Sequence, residues 1–216
     1  MSAEKTESVI LSIIPYRETS CILRLFTQTR GLVHGIAKGV RRGGKSSTPL
    51  DRGFLLESQL YYRPNRELHT LGALHVVDFF VGIRSDITKA AIRDIALELY
   101  LKSITQSEPH PELFELIHTF FVDLEEAPSS ENPYPLLWRF IYRYCLMMGF
   151  GIDAANGGIP GIDGAVIKFI DGVENGVLVN RPEGERLRVT ELMLQYCRRH
   201  LDIRTAFNSF EFLRTL

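Results

Sequence analysis

Hydrophobic and polar positions alternate along the first 80 residues with the period of two that is typical of β-strands. A short β-branched run ends at Pro15, and the segment from Gln28 to Gly31 has the composition of a hairpin turn. Five short runs divided by glycine-containing turns favour a small closed barrel. The predicted strands are residues 9–14, 21–26, 32–38, 57–62 and 68–77.

After Arg84 the apolar residues recur with a spacing of about 3.6, which is the period of an amphipathic helix. Asp86 is placed to cap the first helix, and Gly149 is placed to end the third. Thr190 is interpreted as the cap of a later helix that extends to His200. The predicted helices are residues 87–104, 111–127, 138–148, 190–200 and 206–213.

The change of period predicts an α+β protein with a β domain at residues 1–82 and a helical domain at residues 83–150 and 186–216. Residues 151–185 between the two helical parts are crowded with glycine, and we interpret them as a loop-rich insert with a small hairpin. No apolar run approaches the length of about 18 residues that a membrane span needs. We therefore expect a cytoplasmic protein.

The net charge of −1 over 216 residues conceals an uneven distribution of charge. Residues 17–52 hold eight Lys or Arg against Glu18 and Asp51, whereas residues 84–131 hold four against ten Asp or Glu. The basic part attracts polyanions even though the whole chain is nearly neutral. Its cationic residues, which we call the basic strip, are Arg17, Arg24, Arg30, Lys38, Arg41, Arg42, Lys45 and Arg52.

The basic strip contains an apparent nucleotide-binding motif. Residues 39–46 read GVRRGGKS and match the phosphate-loop pattern G-x-x-x-x-G-K-[ST]. That loop requires a helix that starts at its lysine, here Lys45, and points its positive end at the phosphates. Pro49 and Gly53 disfavour such a helix. We retain an NTPase that uses Lys45 and Ser46 as an alternative, and we favour a flexible cationic loop that contacts a nucleic-acid backbone.

A solvated surface loop is the plain alternative for a charge run of this kind. Two features favour nucleic acid over it: basic residues also lie on the neighbouring strands, and almost no acid is interspersed among them. Aromatic side chains that stack on bases would complete such a site. The candidates on strands are Tyr61, Tyr62, His34 and Phe26, although strand alternation lets only some of them face outward.

No catalytic or metal-binding constellation emerges from the sequence. Ser20 and Cys21 lack a partner base, and the cysteines Cys21, Cys145 and Cys197 are widely spaced without a C-x-x-C pair. We interpret the three cysteines as buried reduced thiols. The sequence therefore predicts a protein that is not an enzyme and that has no cofactor.

The third predicted helix places aromatic and cationic groups at neighbouring positions: Trp138, Arg139, Tyr142 and Arg143. These are the ingredients of a pocket for an acidic, hydrophobic peptide. In the alternative, which residue chemistry alone favours, Trp138 and Tyr142 pack in the core while the two arginines are solvated. A protein whose helical half binds partners, with the barrel only structural, is a further alternative function.

Several short motifs follow one another along the chain. They are YRETS at 16–20, RGL at 30–32, AKGVRR at 37–42, ELHTL at 67–71, PELF at 111–114, WRF at 138–140, GFG at 149–151 and SFEFL at 209–213. Their order and spacing resemble those of the bacterial recombination mediator family RecO. The resemblance spans nearly the whole chain.

The resemblance implies an N-terminal OB-fold and a helical domain in a nucleoid-associated DNA repair protein. It further implies binding of single- and double-stranded DNA, annealing of complementary strands and, with the partner RecR, assistance to RecA on DNA coated by single-strand-binding protein. The acidic C-terminal tail of single-strand-binding protein would dock on the helical domain, near Arg139. Many members carry a four-cysteine zinc site in the insert, but residues 156–158 read NGG here. Zinc is therefore not expected.

Overall fold

A computed structural model describes residues 3–41, 49–105, 108–152, 158–164, 166–167 and 182–216 of the chain. The chain divides into two compact units. The first comprises Met1–Phe80 with Ile104–Phe114, and the second comprises Val81–Ser103 with Glu115–Leu216. Of the hairpin predicted from the apolar runs at 165–170 and 176–179, the structure describes only Val166 and Ile167, and these two are helical and not extended. The rest of it lies outside the described residues.

The first unit contains a closed five-stranded barrel, which confirms the predicted architecture. The strands follow one another around the barrel in the order β1-β2-β3-β5-β4, and β3 and β5 are parallel whereas the other pairs are antiparallel. Their bounds are β1 Glu4–Tyr16, β2 Ser20–Thr27, β3 Gly31–Ala37, β4 Leu55–Tyr61 and β5 Leu68–Asp78.

Alternation along the strands fills the barrel with apolar side chains. Leu23, Leu25, Val33 and Leu56 are fully buried in its core, and burial of each such side chain contributes about 1.5–3 kcal/mol. Arg24, between Leu23 and Leu25, is among the alternating residues that face outward. The barrel therefore has an outer surface on which polar and charged side chains are free to serve another purpose.

The first strand is longer than its sequence pattern predicts. It begins at Glu4 because its first half pairs with β4, from Glu4 opposite Leu60 to Val9 opposite Leu55. Pro15 does not end it, since Pro15 pairs with Cys21 and the strand continues to Tyr16. A proline is tolerated there because it lies next to the end of the strand, where a missing amide donor costs little.

The second unit is helical. Asp86 accepts hydrogen bonds from the backbone N–H groups of Thr88 and Lys89 at 2.9 and 3.1 Å, so the predicted cap of the long helix is confirmed. Gly149 has a φ of +84° and ends the helix before it, as predicted. The helices are α1 Val81–Ser85, α2 Ile87–Ser103, α3 Pro111–Glu126, α4 Tyr134–Met147, α5 Glu183–His200 and α6 Asn208–Leu213.

The predicted start of α5 at Thr190 is wrong, because the helix begins at Glu183. Its first turns are polar and exposed, so they lack the apolar periodicity that marks a helix in a sequence. Thr190 is buried inside the helix, where its hydroxyl donates to the Arg186 carbonyl oxygen at 2.8 Å. Within the described residues, no helix has the length and apolar character needed to cross a bilayer.

Two carboxylates cap short helices within the second unit. Glu125 accepts hydrogen bonds from the N–H groups of Gly82 and Ile83, both at 2.7 Å. Glu98 accepts from the N–H groups of Asn208 and Ser209 at 3.0 and 2.9 Å. Burial acts to raise the pKa of Glu98, but hydrogen bonds from Ser209, Asn208 and Lys102 outweigh it and hold this pKa below its usual value.

Candidate nucleic-acid interface

A groove of about 970 Å³ opens on the outer surface of the barrel. Its lining includes the β1–β2 turn, the end of β3 and the loop between β4 and β5. Three cationic side chains line it, Arg17, Lys38 and Arg63, together with the carboxylate of Glu18. The groove is therefore a concave surface with an excess of positive charge, which suits a polyanionic ligand.

Arg17 occupies a strained turn. Tyr16 pairs with Ser20 across it, and Arg17 has a φ of +52°, a left-handed conformation that non-glycine residues adopt at a cost of about 1–2 kcal/mol. Arg41 holds the turn with two hydrogen bonds. Its backbone N–H donates to the Thr19 carbonyl oxygen at 3.0 Å, and its side-chain Nη1 donates to the Arg17 carbonyl oxygen at 3.4 Å. The turn keeps an exposed guanidinium at the groove.

Arg63 was not identified from the sequence. Its backbone N–H donates to His69 Nδ1 at 3.2 Å, and its side-chain Nε is buried without a hydrogen-bond partner among the described residues. The sequence marks residues 63–66 only as a turn between strands. Its position beside the groove depends on the parallel pairing of β3 with β5, which brings Thr70 next to Ile36, and no local pattern encodes that pairing.

Arg24 lies on the outer face of β2, directly opposite His34 of β3. Burial lowers the pKa of His34, the charge of Arg24 lowers it further, and Glu67 partly opposes them. The imidazole is therefore neutral at pH 7. Arg24 supplies the positive charge of this pair, and His34 supplies a half-buried aromatic ring.

Arg30 is placed in a different environment from the rest of the basic strip. It lies in the β2–β3 turn, where its Nε and Nη2 bond to Glu4 Oε2 at 3.0 and 2.9 Å. Its guanidinium also lies 4.6 Å from the centroid of the Tyr62 ring. The charge of Arg30 is thus matched within the fold, which gives this residue a structural role.

The remaining members of the basic strip lie around the β3–β4 connection. Lys38, Arg41 and Arg52 are exposed, whereas Arg42 and Lys45 fall outside the described residues, as does Ser46 of the phosphate-loop alternative. A helix that began at Lys45 would continue through residues 49–54. Those residues instead form a turn that leads into β4, which does not match the phosphate-loop geometry.

The four aromatic candidates separate by burial. Phe26 is fully buried, and Tyr62 packs against the barrel core and stacks on His69 at 4.4 Å between ring centroids. Tyr61 and His34 are half-buried, as Tyr62 is, and each follows a core position on its strand, so alternation turns them outward. Base stacking by these two residues stays a prediction.

The candidates on α4 separate in the same way. Trp138 is fully buried and its indole N–H donates to Thr190 Oγ1 at 2.9 Å, and Tyr142 is buried as well. Arg143 is exposed. Arg139 and Arg143 line a small cleft between α3 and α4 with apolar groups and Asp123. Trp138 and Tyr142 thus pack in the core, as the alternative expects, and contact of the two arginines with a partner stays a prediction.

The three cysteines are free and buried. Cys145 Sγ and Cys197 Sγ lie 3.4 Å apart between α4 and α5. The hydrogen bond with Cys145, together with burial, raises the pKa of Cys197 well above its usual value. Within the part of the chain that the structure describes, no group of three His, Cys, Asp or Glu side chains is arranged to hold a metal ion.

Two family models of known proteins match this chain, and their boundary lies near residue 80, where the first unit gives way to the second. The family model described as "Recombination protein O N terminal" matches residues 1–80, and that described as "Recombination protein O C terminal" matches residues 84–212. A DNA repair protein RecO from Syntrophobacter fumaroxidans is 30% identical over 198 residues, which cover 90% of this chain and 77% of the relative. The RecO protein from Geobacter metallireducens is 27% identical over 177 residues, covering 77% of this chain and 72% of that relative.

Proposed function

Because the chain belongs to the RecO family of recombination proteins, we propose that it acts in DNA repair and homologous recombination by binding DNA in the groove of its barrel. The observation that carries this proposal is the convergence of Arg17, Lys38 and Arg63 on one concave surface. The exposed Arg41 and Arg52 add positive charge at the two ends of the same β3–β4 connection, whose sequence also holds Arg42 and Lys45.

The proposed mechanism is electrostatic. Two DNA strands repel each other through their phosphates, and cationic side chains that neutralise phosphates allow the strands to approach and to pair. Each phosphate contact releases condensed counterions, so the logarithm of single-strand affinity falls with the logarithm of salt concentration by about 0.7 per contact. We therefore expect binding with little sequence preference and annealing of complementary strands without a cofactor or a covalent step.

The test is a titration of a fluorescent single-stranded oligonucleotide at two salt concentrations. A variant with Lys38, Arg41, Arg42 and Lys45 replaced by alanine should bind at least tenfold more weakly and show a shallower salt dependence. Lys5→Ala is a matched control, because Lys5 is an exposed barrel lysine that is paired with Glu57 at 2.7 Å and lies outside the groove. Unchanged affinity and salt slope in the fourfold variant would refute DNA binding by this surface and favour a barrel with only a structural role.

Partner binding is proposed for the helical unit. The cleft that Arg139 and Arg143 line combines cationic and apolar groups, which suits the acidic, hydrophobic C-terminal tail of single-strand-binding protein. Docking there, together with RecR, would bring the protein to coated DNA and assist the loading of RecA. Binding of a tail peptide should weaken about tenfold in Arg139→Ala and Arg143→Ala. It should not change in Arg204→Ala, whose side chain is exposed and paired with Asp202.

A further inference from the structure

An apolar row crosses the outer surface of the barrel beside the basic groove. Ile14 of β1 pairs with Ile22 of β2, and Ile22 pairs with Ile36 of β3. Their strand neighbours point into the core, as Cys21, Leu23 and Ala37 do, so alternation turns the three isoleucines outward. Ile14 is 42% exposed and the other two are half-buried. We call these three residues the isoleucine row.

Cationic groups lie on both sides of the isoleucine row. Arg24 follows Ile22 by two residues on β2, and Lys38 follows Ile36 by two residues at the end of β3. Because β2 and β3 are antiparallel, these two cations lie on opposite sides of the row. Two residues of a strand span about 6.8 Å. Arg17 and Lys38 thus border the row on one side, Arg24 borders it on the other, and Ile36 itself lines the groove.

A partly exposed apolar row with cationic side chains on both sides suits a ligand that is both apolar and polyanionic. A single DNA strand has this composition, because its unpaired bases present apolar faces while its phosphates carry the charge. In a duplex the base faces are stacked and hidden, so a duplex can use only the cationic groups. Burial of apolar surface is non-directional, so aliphatic side chains can cover a base face without requiring a particular base.

We propose that the isoleucine row is a base-contacting platform, on which the unpaired bases of a single DNA strand lie while Arg17, Lys38 and Arg24 hold its phosphates. The proposal rests on the DNA binding proposed above and adds to it the orientation of the strand, with its bases toward the protein. It also gives the barrel a preference for unpaired over paired DNA. Bases held face-down would have to leave the platform before pairing, so annealing would proceed from the ends of the bound segment.

The experiment separates base contacts from phosphate contacts. Two probes of equal length and charge are used, a 20-nucleotide oligo-dT and a 20-unit abasic sugar–phosphate chain. The intact protein should bind oligo-dT at least tenfold more tightly, because apolar contact with the bases adds to the phosphate contacts that both probes make. The double variant Ile22→Thr with Ile36→Thr keeps β-branched side chains on the strands. It should lose most of this preference and bind the abasic chain with unchanged affinity.

Val77→Thr is the matched control, since Val77 is an exposed β-branched residue on β5 outside the row, and it should retain the preference for oligo-dT. Equal affinity of the intact protein for the two probes would overturn the platform and leave the proposed DNA binding intact. Equal weakening of both probes in the double variant would also overturn it, because the row would then serve only the structure of the barrel. Absence of binding to either probe would instead refute the proposed function itself.

Discussion

Two tight turns, one at each end of β2, carry an arginine each and illustrate how one residue type serves two purposes. Arg17 lies in the turn that Tyr16 and Ser20 close, and Arg30 lies in the turn that Thr27 and Gly31 close. Arg30 is matched by Glu4 and covers the Tyr62 ring. Arg17 is exposed at a groove that it shares with other cations.

The difference between the turns lies in their neighbours and not in their own composition. At the Arg30 turn the N-terminal half of β1 brings a carboxylate alongside, and Thr27 Oγ1 accepts from the Arg30 N–H at 3.0 Å. At the Arg17 turn the neighbours are the cationic Arg41 and Lys38, and the exposed Glu18 only partly offsets them. A matched arginine stabilises the fold, whereas an arginine among other cations is retained at an electrostatic cost that an anionic ligand relieves.

The largest expected effect concerns the backbone of the Arg30 turn. Gly31 has a φ of +63°, and an added Cβ would lie 2.0 Å from the Glu108 carbonyl oxygen. Gly31→Ala should therefore lower the free energy of unfolding by about 3 kcal/mol or more, measured by urea denaturation. Gly39→Ala is the control, because Gly39 has a similar φ of +75° but no atom within 4 Å of its Cβ position. Gly39→Ala should lower the free energy of unfolding by only about 1 kcal/mol. Equal losses in the two variants would show that the clash with Glu108 does not occur.

The second prediction compares Arg63, which lines the groove, with Arg30, which is matched by Glu4. Arg63→Ala should weaken single-strand binding about fivefold, which corresponds to the loss of one charged contact of about 1 kcal/mol. Arg30→Ala should change this affinity by less than twofold. It should instead lower the free energy of unfolding by about 0.5–1 kcal/mol, because the partly exposed pair with Glu4 is screened by solvent. A larger loss of DNA affinity in Arg30→Ala than in Arg63→Ala would contradict the proposal that Arg63 contacts DNA and that Arg30 serves the fold.

The sequence predicts the barrel well and the surroundings of its arginines only in part. Alternation of apolar positions such as Leu23 and Leu25 is a local signal, and it suffices to predict five strands. The pairing of Arg30 with Glu4 joins residues 26 positions apart, and the position of Arg63 depends on which strands meet when the barrel closes. Such long-range contacts leave no trace in a local pattern, so charge density alone reveals neither the Glu4 partner of Arg30 nor the position of Arg63 at the groove.

The third prediction uses pH to test the ion pair between Glu4 and Arg30. The hydrogen bond from Thr29 and those from Arg30, together with the charge of Arg30, outweigh burial and lower the pKa of Glu4 from its usual 4.5. The ionised carboxylate therefore stabilises the fold above about pH 4.5, and this contribution is lost as the pH falls through the lowered pKa. Between pH 6 and pH 3, Glu4→Gln should lose less stability than the intact protein, by up to about 1 kcal/mol in urea titrations. Parallel losses in the two proteins would show that Glu4 does not couple to Arg30.

The smallest effect concerns the acid in the groove. Glu18 lines the same surface as Arg17 and Lys38 and is exposed, so its carboxylate repels the phosphates that the cations attract. Glu18→Gln keeps the shape of the side chain and removes this repulsion. It should raise single-strand affinity about twofold at low salt, with the gain fading at high salt as screening shortens the range of the charge. Glu57→Gln, on the other side of the barrel, should give no gain, because Glu57 faces Lys5 at 2.7 Å. If both variants raised affinity equally, net charge would be responsible and the groove would not be the place where DNA binds.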